Sequence, residues 1–337
     1  MAEPLPSLSF HPSPDHYDPI PPAAAYDEHS PAVMEAVMSK GFYTREISNG
    51  IHYLTEGWYF VMVAEHDDGL IVVDAPPTIG SDFLGNNLLN GIGEISDKPI
   101  THVIYSHHHR DHIGAANLYP DDAVIIAQDE CAEYVATAND PQRPPATETF
   151  TDGYTLELGG RTLQLDYHGN IHCPGNIWIY APDEKILMNV DVIFPGWAPF
   201  SSLAMASDLR GFLRGHEVAL SYDFDTFVPG HLSRLGTRED VETQKAYFDD
   251  LVNAAMNHLD EVSPARPAMD AEINFMGVAE QVGGFENAWL VFDTYINSVA
   301  DAVVEEVLPK WHGKLAAADE FTRSHAWEVV ARLRSDV

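Results

Sequence analysis

Cysteine and lysine are scarce in this chain, and long apolar runs are missing. Its two cysteines, Cys131 and Cys173, are too few in 337 residues for a disulfide framework, which excludes the small cross-linked folds of secreted proteins. Lysine occurs six times and arginine twelve, against 52 acidic residues, for a formal charge of −34. A surface of that sign repels phosphodiester backbones and anionic membranes, so neither nucleic acid nor membrane is expected as a partner. No apolar stretch approaches the roughly 18 residues that a membrane span needs. The start Met1-Ala-Glu-Pro-Leu-Pro has neither the basic nor the apolar region of a secretion signal. The expectation is a cytoplasmic protein, although a chain already trimmed of its signal reads the same. The acidic excess is either ordinary surface hydration or an adaptation to salt.

What is present suffices for a sizeable core, since 45% of the residues are hydrophobic. The first 30 residues carry Pro4, Pro6, Pro12, Pro14, Pro19, Pro21 and Pro22 without a sustained period, and a Pro-rich arm is expected over 1–38. From Ile51 the pattern turns to strands: Ile51 to Leu54, Trp58 to Glu65 and Leu70 to Asp74, with Asp67-Asp68-Gly69 as a hairpin turn. Helices are expected over Asp82 to Ile95 and Asp129 to Ala138, and Asn139 to Pro145 must be loop. Thr237-Arg238-Glu239-Asp240 has the form of a capping box opening a helix to about Leu259. Phe292, Ile296, Val299 and Val303 mark one face of a helix from about Glu286 to Leu308, and a last helix runs from Ala318 to Leu333. The division expected is an arm over 1–38, a catalytic domain over 39–262 and a helical extension over 263–337. Those C-terminal helices are read as completing the core and roofing the site, with a homodimer contact as the alternative.

The most informative stretch is Ser106-His107-His108-His109-Arg110-Asp111-His112. It joins an apolar strand, Ile100 to Tyr105, to a short helix, Ile113 to Leu118. In extended backbone residues i and i+2 point the same way, so His107 and His109 can grip one cation while His108 points elsewhere. Asp111 and His112 fall where the helix starts, turned toward a second cation. An Asp before a helix is ordinarily a cap and a strand-end His ordinarily solvated, but four such residues at these spacings favour metal binding. Three later loops add to the set. His172 precedes the turn Cys173-Pro174-Gly175, with His168 as the competing candidate. Asp191 ends the apolar run Lys185 to Val190, and His231 ends Phe224 to Gly230. Cys173 is read as packing rather than as a ligand.

These residues, in this order, resemble the metallo-β-lactamase superfamily. The resemblance covers roughly residues 45 to 260 and implies an α/β (α+β), four-layer αββα fold with a C-terminal helical extension. It also implies two divalent metal ions, zinc before manganese or iron. His107, His109 and His172 would hold the first ion, Asp111, His112 and His231 the second, and Asp191 would bridge them. Asp at the bridge position, where true β-lactamases of the superfamily carry Cys or Ser, points to the lactonase and glyoxalase II-like branches. The activity implied is attack on a carbonyl centre, a lactone, ester or related acyl bond, by a metal-bridging hydroxide, with Asp111 supplying a proton and with side activity on β-lactams. A glyoxalase II-like thioesterase and a mononuclear iron oxidoreductase of the persulfide dioxygenase kind are the alternatives. Phe194, Trp197 and Phe200, in an aromatic run just after Asp191, with Trp58 opposite, are the expected apolar walls for a small-molecule substrate.

Overall fold

The computed structural model describes residues 20–80, 87–232, 234–260 and 274–336. The arm expected over 1–38 lies outside them up to residue 19, as do the first residues of the helix expected from Asp82 and of the C-terminal extension. The described residues divide into two units: those within 25–199 and 203–246, and those within 20–24, 200–202, 247–260 and 274–336.

The larger unit opens with α1 (Ser30–Lys40) and a meander of β1 (Tyr43–Ser48), β2 (Ile51–Thr55), β3 (Phe60–His66) and β4 (Gly69–Val73). The turn between β3 and β4 is Asp67-Asp68, two residues, as the hairpin signal requires. After α2 (Pro77–Gly80) and α3 (Asn87–Ile95) the chain adds β5 (Ile100–Ile104), α4 (Arg110–Ile113), β6 (Val124–Gln128), α5 (Asp129–Ala138) and β7 (Glu148–Phe150). These seven strands pair in chain order, antiparallel up to β4 and parallel from β4 to β7.

The second sheet follows, with β8 (Gly153–Leu158), β9 (Arg161–Asp166), β10 (Trp178–Ala181) and β11 (Ile186–Met188). Beyond the short α6 (Ser201–Met205) and α7 (Leu209–Ser221) comes β12 (Thr226–Val228), which pairs parallel to β11. The order is β12-β11-β10-β9-β8.

Period-two alternation builds the layers. Phe60, Met62, Ala64, Ile71 and Val73 face inward and meet Leu163, Leu165, Ile179, Ile186 and Met188 of the second sheet. Their neighbours Val61, Val63, Leu70 and Val72 face the other way, under Leu88 and Ile92 of α3 and Cys131 and Val135 of α5. Each fully buried Val, Leu, Ile, Phe or Met among them is worth about 1.5–3 kcal/mol. On the far side of the second sheet Gly215 lets α7 sit close: a Cβ there would lie 2.8 Å from Ile171 and 2.9 Å from Val192. Helix, sheet, sheet and helix give the αββα layering implied by the sequence.

The smaller unit holds the second half of α8 (Arg238–Asp260), then α9 (Phe275–Gln281), α10 (Ala288–Trp311) and α11 (Ala318–Asp336). Tyr247 of α8 places its hydroxyl 3.0 Å from Thr322 Oγ1 and 2.9 Å from His325 Nδ1, a satisfied buried polar group. Arg323 of α11 reaches Asp301 Oδ1 at 2.8 Å on α10.

Local capping explains where elements start. At α8 the Thr237 amide donates to Asp240 Oδ2 at 2.8 Å and the Asp240 amide donates back to Thr237 Oγ1 at 3.4 Å. This is the reciprocal box that the sequence suggests. The strand expected from Trp58 begins at Phe60 instead, because the Glu56 carboxylate accepts the Trp58 and Tyr59 amides and holds them in a turn. One segment breaks a chiral rule. Ser202, Leu203, Ala204 and Met205 of α6 have φ of 56°, 59°, 52° and 58°, a left-handed turn of four L-residues.

Candidate metal centre

Four loops at strand ends converge. The first follows β5 and enters α4 with His109 extended, φ −66° and ψ 140°, so the rings of His107 and His109 lie on one side with centroids 4.6 Å apart. His172 comes from the loop between β9 and β10, Asp191 from the residues after β11, and His231 from those after β12. All seven residues singled out in the sequence meet here, and Asp191 sits in the middle with φ of 67°.

The two oxygens of Asp191 face different partners. Oδ2 lies 3.4 Å from His107 Nε2 and 3.3 Å from His172 Nε2, and His172 Nε2 is 3.1 Å from His109 Nδ1. Oδ1 lies 3.2 Å from His112 Nε2 and 3.0 Å from His231 Nε2. Asp111 Oδ2 stands 3.5 Å from His112 Nε2 and 4.0 Å from His231 Nε2. The donor atoms thus form two groups sharing one carboxylate.

The electrostatics suit cations. His107, His112, His172 and Asp191 are buried, whereas Asp111 is exposed. Among the described residues, His107 Nε2 and Asp191 Oδ1 are buried atoms at the heart of the cluster without a hydrogen-bond partner, a cost that a cation at each of the two donor groups would remove. Burial pushes the His107 and His109 imidazoles below their usual range and His172 down to about 4, the neutral form that ligates metal. At His112 burial works against the charge, but the Asp191 carboxylate, with Asp111 and Asp74 behind it, outweighs this and lifts the group to about 9. Burial opposes the charge of Asp191 too, yet His112 and His231 hold its carboxyl well below the usual range.

A buried relay sets one tautomer. The Ser106 amide donates to Asp74 Oδ1 at 2.8 Å, and its hydroxyl donates to Asp74 Oδ2 at 2.7 Å. Having spent its proton, Ser106 Oγ accepts from His107 Nδ1 at 2.9 Å, which leaves Nε2 bare toward the centre. Burial raises Asp74 to about 6. Sequence reasoning missed Asp74, Ser106 and Tyr59, although an Asp closing the apolar run of β4 is a readable signal.

Other residues named in the sequence stand apart from the seven. His108 stacks on Tyr134 at 4.3 Å and 13°, as expected of the histidine pointing elsewhere. His168 pairs with Tyr222, Nε2 to hydroxyl 3.0 Å. Cys173 packs nearer than the sequence suggests: its Sγ falls within 4.8 Å of the donor atoms of His107, His109 and His172. Burial keeps its thiol well above the usual range. Of the walls, Phe194 is buried and its ring lies 6.0 Å from that of His231, at 17°. Trp197 is half-buried in the turn where its amide donates to Phe194 O at 2.9 Å. Trp58 is 71% exposed, and Phe200 packs on Phe321 in the smaller unit, centroids 5.4 Å apart.

With this geometry in view, the comparisons with known proteins agree on the fold. The sequence model of the metallo-beta-lactamase superfamily matches residues 56–231, which span all seven residues. The chain is 31% identical over 199 residues to the alpha subunit of 2,4-dinitroanisole O-demethylase from a Nocardioides strain, covering 58% of this chain and 59% of that one. It is 30% identical over 137 residues to a hydroxyacylglutathione hydrolase from Rhizobium etli, 36% of this chain and 50% of that one. It is 22% identical over 226 residues to a linear primary-alkylsulfatase from a Pseudomonas strain, 53% and 42%. The match thus spans less than two thirds of each of these relatives.

Among solved structures, a metallo-beta-lactamase from Pontibacter korlensis aligns with TM-score 0.50 at 17% identity, over 61% of this chain and 97% of that one. A double mutant of the sec-alkyl sulfatase PisA1 aligns with TM-score 0.57 at 14% identity, over 90% and 52%. The chain belongs to the metallo-beta-lactamase superfamily, whose members are mostly metal-dependent hydrolases. Among the described residues no helix is long and apolar enough to cross a membrane.

Proposed function

We propose that this chain is a dinuclear metal-dependent hydrolase acting on a carbonyl centre, a lactone or ester, in a small molecule. The observation that carries this is Asp191, whose two oxygens serve two separate groups of donors. His107, His109 and His172 would hold one cation and Asp111, His112 and His231 the other. Nitrogen and carboxylate donors without a required thiolate suit zinc, with manganese or iron next. Divalent cations bound there supply Lewis acidity and make water nucleophilic near neutral pH.

The chain's own residues do the rest. Asp111 is the exposed carboxylate of the set; it would take the proton of the hydroxyl added to the carbonyl carbon and pass it to the departing alkoxide. Ser106 and Asp74 hold the His107 tautomer. Phe194 lays an apolar face beside His231, and with Trp197 it favours an acyl or aryl group over a charged one. The net charge of −34 turns polyanions away.

The resemblance to an O-demethylase subunit favours a second reading, displacement of a methoxy group from an electron-poor aromatic ring. A hydroxyacylglutathione hydrolase relative supports thioesters as a further substrate class, while a mononuclear iron oxidoreductase would leave half the donor set without a role. Metal analysis by mass spectrometry, followed by a panel of lactones, aryl esters, thioesters, β-lactams, sulfate esters, nitroaryl methyl ethers and bis-aryl phosphodiesters, tests these readings. Two zinc or manganese ions per chain and highest kcat/KM on a lactone or ester are expected. A single iron, or higher kcat/KM on a bis-aryl phosphodiester than on every acyl substrate, overturns the proposal.

A further inference from the structure

We infer that Tyr59 is a positioning residue for the second cation site, tying Asp111 and His231 into one arrangement. The inference rests on the two-site reading above. Its hydroxyl donates to Asp111 Oδ2 at 3.3 Å. Its ring lies 4.5 Å from that of His231 and 5.2 Å, nearly edge-on, from that of His112. One side chain therefore touches all three residues assigned to the second site. At the first site His107 is oriented by Ser106.

The backbone holds Tyr59 where it can do this. The segment 58–60 pairs with 230–232 as an antiparallel bridge, with the Phe60 amide donating to Gly230 O at 3.1 Å and the Leu232 amide to Trp58 O at 2.9 Å. From the other side, buried Glu56 accepts the Tyr59 amide at 3.0 Å and the Thr78 hydroxyl at 2.7 Å. The loop that delivers His231 is thus stitched to the start of β3, and Tyr59 is the side chain at the stitch. Asp111 needs such a partner more than the others do. It is the exposed member of the set, so solvent and rotamer freedom compete for it. A hydrogen bond to one carboxylate oxygen limits that freedom and leaves the other lone pairs for a cation.

The test uses the full chain stripped of metal and titrated with cobalt, followed by visible absorption and equilibrium dialysis, with Tyr59→Phe and Tyr59→Leu beside the wild type. Phe keeps the ring and loses the hydroxyl, whereas Leu loses both. The wild type should take two cobalt ions in distinguishable steps. In Tyr59→Phe the second step should weaken about tenfold, the usual scale for removing an outer partner of a metal ligand, with the first step unchanged. Tyr59→Leu should weaken the second step further and alter its absorption bands. Two ions in the wild type with a second step in Tyr59→Phe within twofold of it would overturn this inference alone, as would equal weakening of both steps. A wild type that takes a single ion would overturn the two-site reading and this inference with it.

Discussion

His112 and His231 meet nitrogen to nitrogen, their Nε2 atoms 3.0 Å apart although 119 residues separate them in the chain. Both nitrogens belong to the donor group assigned to the second cation. In the metal-free chain burial works against the charge of His112, but Asp191, Asp111 and Asp74 outweigh it and lift the group to about 9.

Loading of metal should therefore release a proton. Below pH 9 the metal-free His112 is charged, and ligation requires it neutral, so cation binding at pH 7.5 should expel about one proton per chain from this group. The release should fade above pH 10, where the ring is already neutral. Calorimetry in buffers of different ionisation enthalpy reads this directly. Equal heats in all buffers at pH 7.5 would contradict it.

Asp191 is the shared element, and its loss should be felt by both donor groups. In Asp191→Ala the metal content should fall from two ions to about one or fewer, because an orienting and charge-neutralising partner is gone from each site. Full activity with two ions retained, read by mass spectrometry on the purified variant, would remove Asp191 from the centre.

Met205 offers a test of the left-handed turn. It is 65% exposed with φ of 58°, so its side chain stabilises little while its Cβ works against the backbone. Met205→Gly should raise stability by about 1 kcal/mol, whereas the same change in a right-handed helix would cost about that much. A lower melting temperature for the variant would argue against a left-handed turn.

The charge of −34 makes salt a variable of its own. If the acidic surface is a salt adaptation, screening relieves self-repulsion and melting temperature should climb from low to molar sodium chloride. A flat or falling curve would leave ordinary hydration as the reading of the surface.

The aromatic turn after Asp191 should matter for acyl substrates. Removing the Trp197 ring should lower kcat/KM on the best lactone or ester about tenfold, the scale of a lost apolar contact, with metal content unchanged. Unaltered kinetics in Trp197→Ala would place the wall elsewhere.

Most of the site is local enough to be read from the chain. His107, His109, Asp111 and His112 lie within six consecutive positions on a strand-to-helix loop, so spacing alone puts them together. His172, Asp191 and His231 each close or follow an apolar run, and the resemblance to one superfamily supplies their order. Asp74, Ser106 and Tyr59 escaped that reading because their roles come from partners distant in sequence. Asp74 and Ser106 are 32 residues apart, and Tyr59 and Asp111 are 52 apart. Among the walls the sequence could mark an aromatic cluster but not its direction: Phe194 turns onto His231 while Phe200 leaves for Phe321.

Legible in the chain alone are the alternation that makes two sheets, the caps that start α8, the acidic excess and the residue types of the donor set. Each is decided within a few residues, by side-chain period, by hydrogen bonds to neighbouring amides or by simple count. It takes the packed fold to show that Asp191 turns one oxygen to each group, that Ser106 leaves His107 Nε2 bare and that Tyr59 spans Asp111 and His231. Those relations depend on where strands from two sheets end in space, which register and layer packing set and no local pattern records.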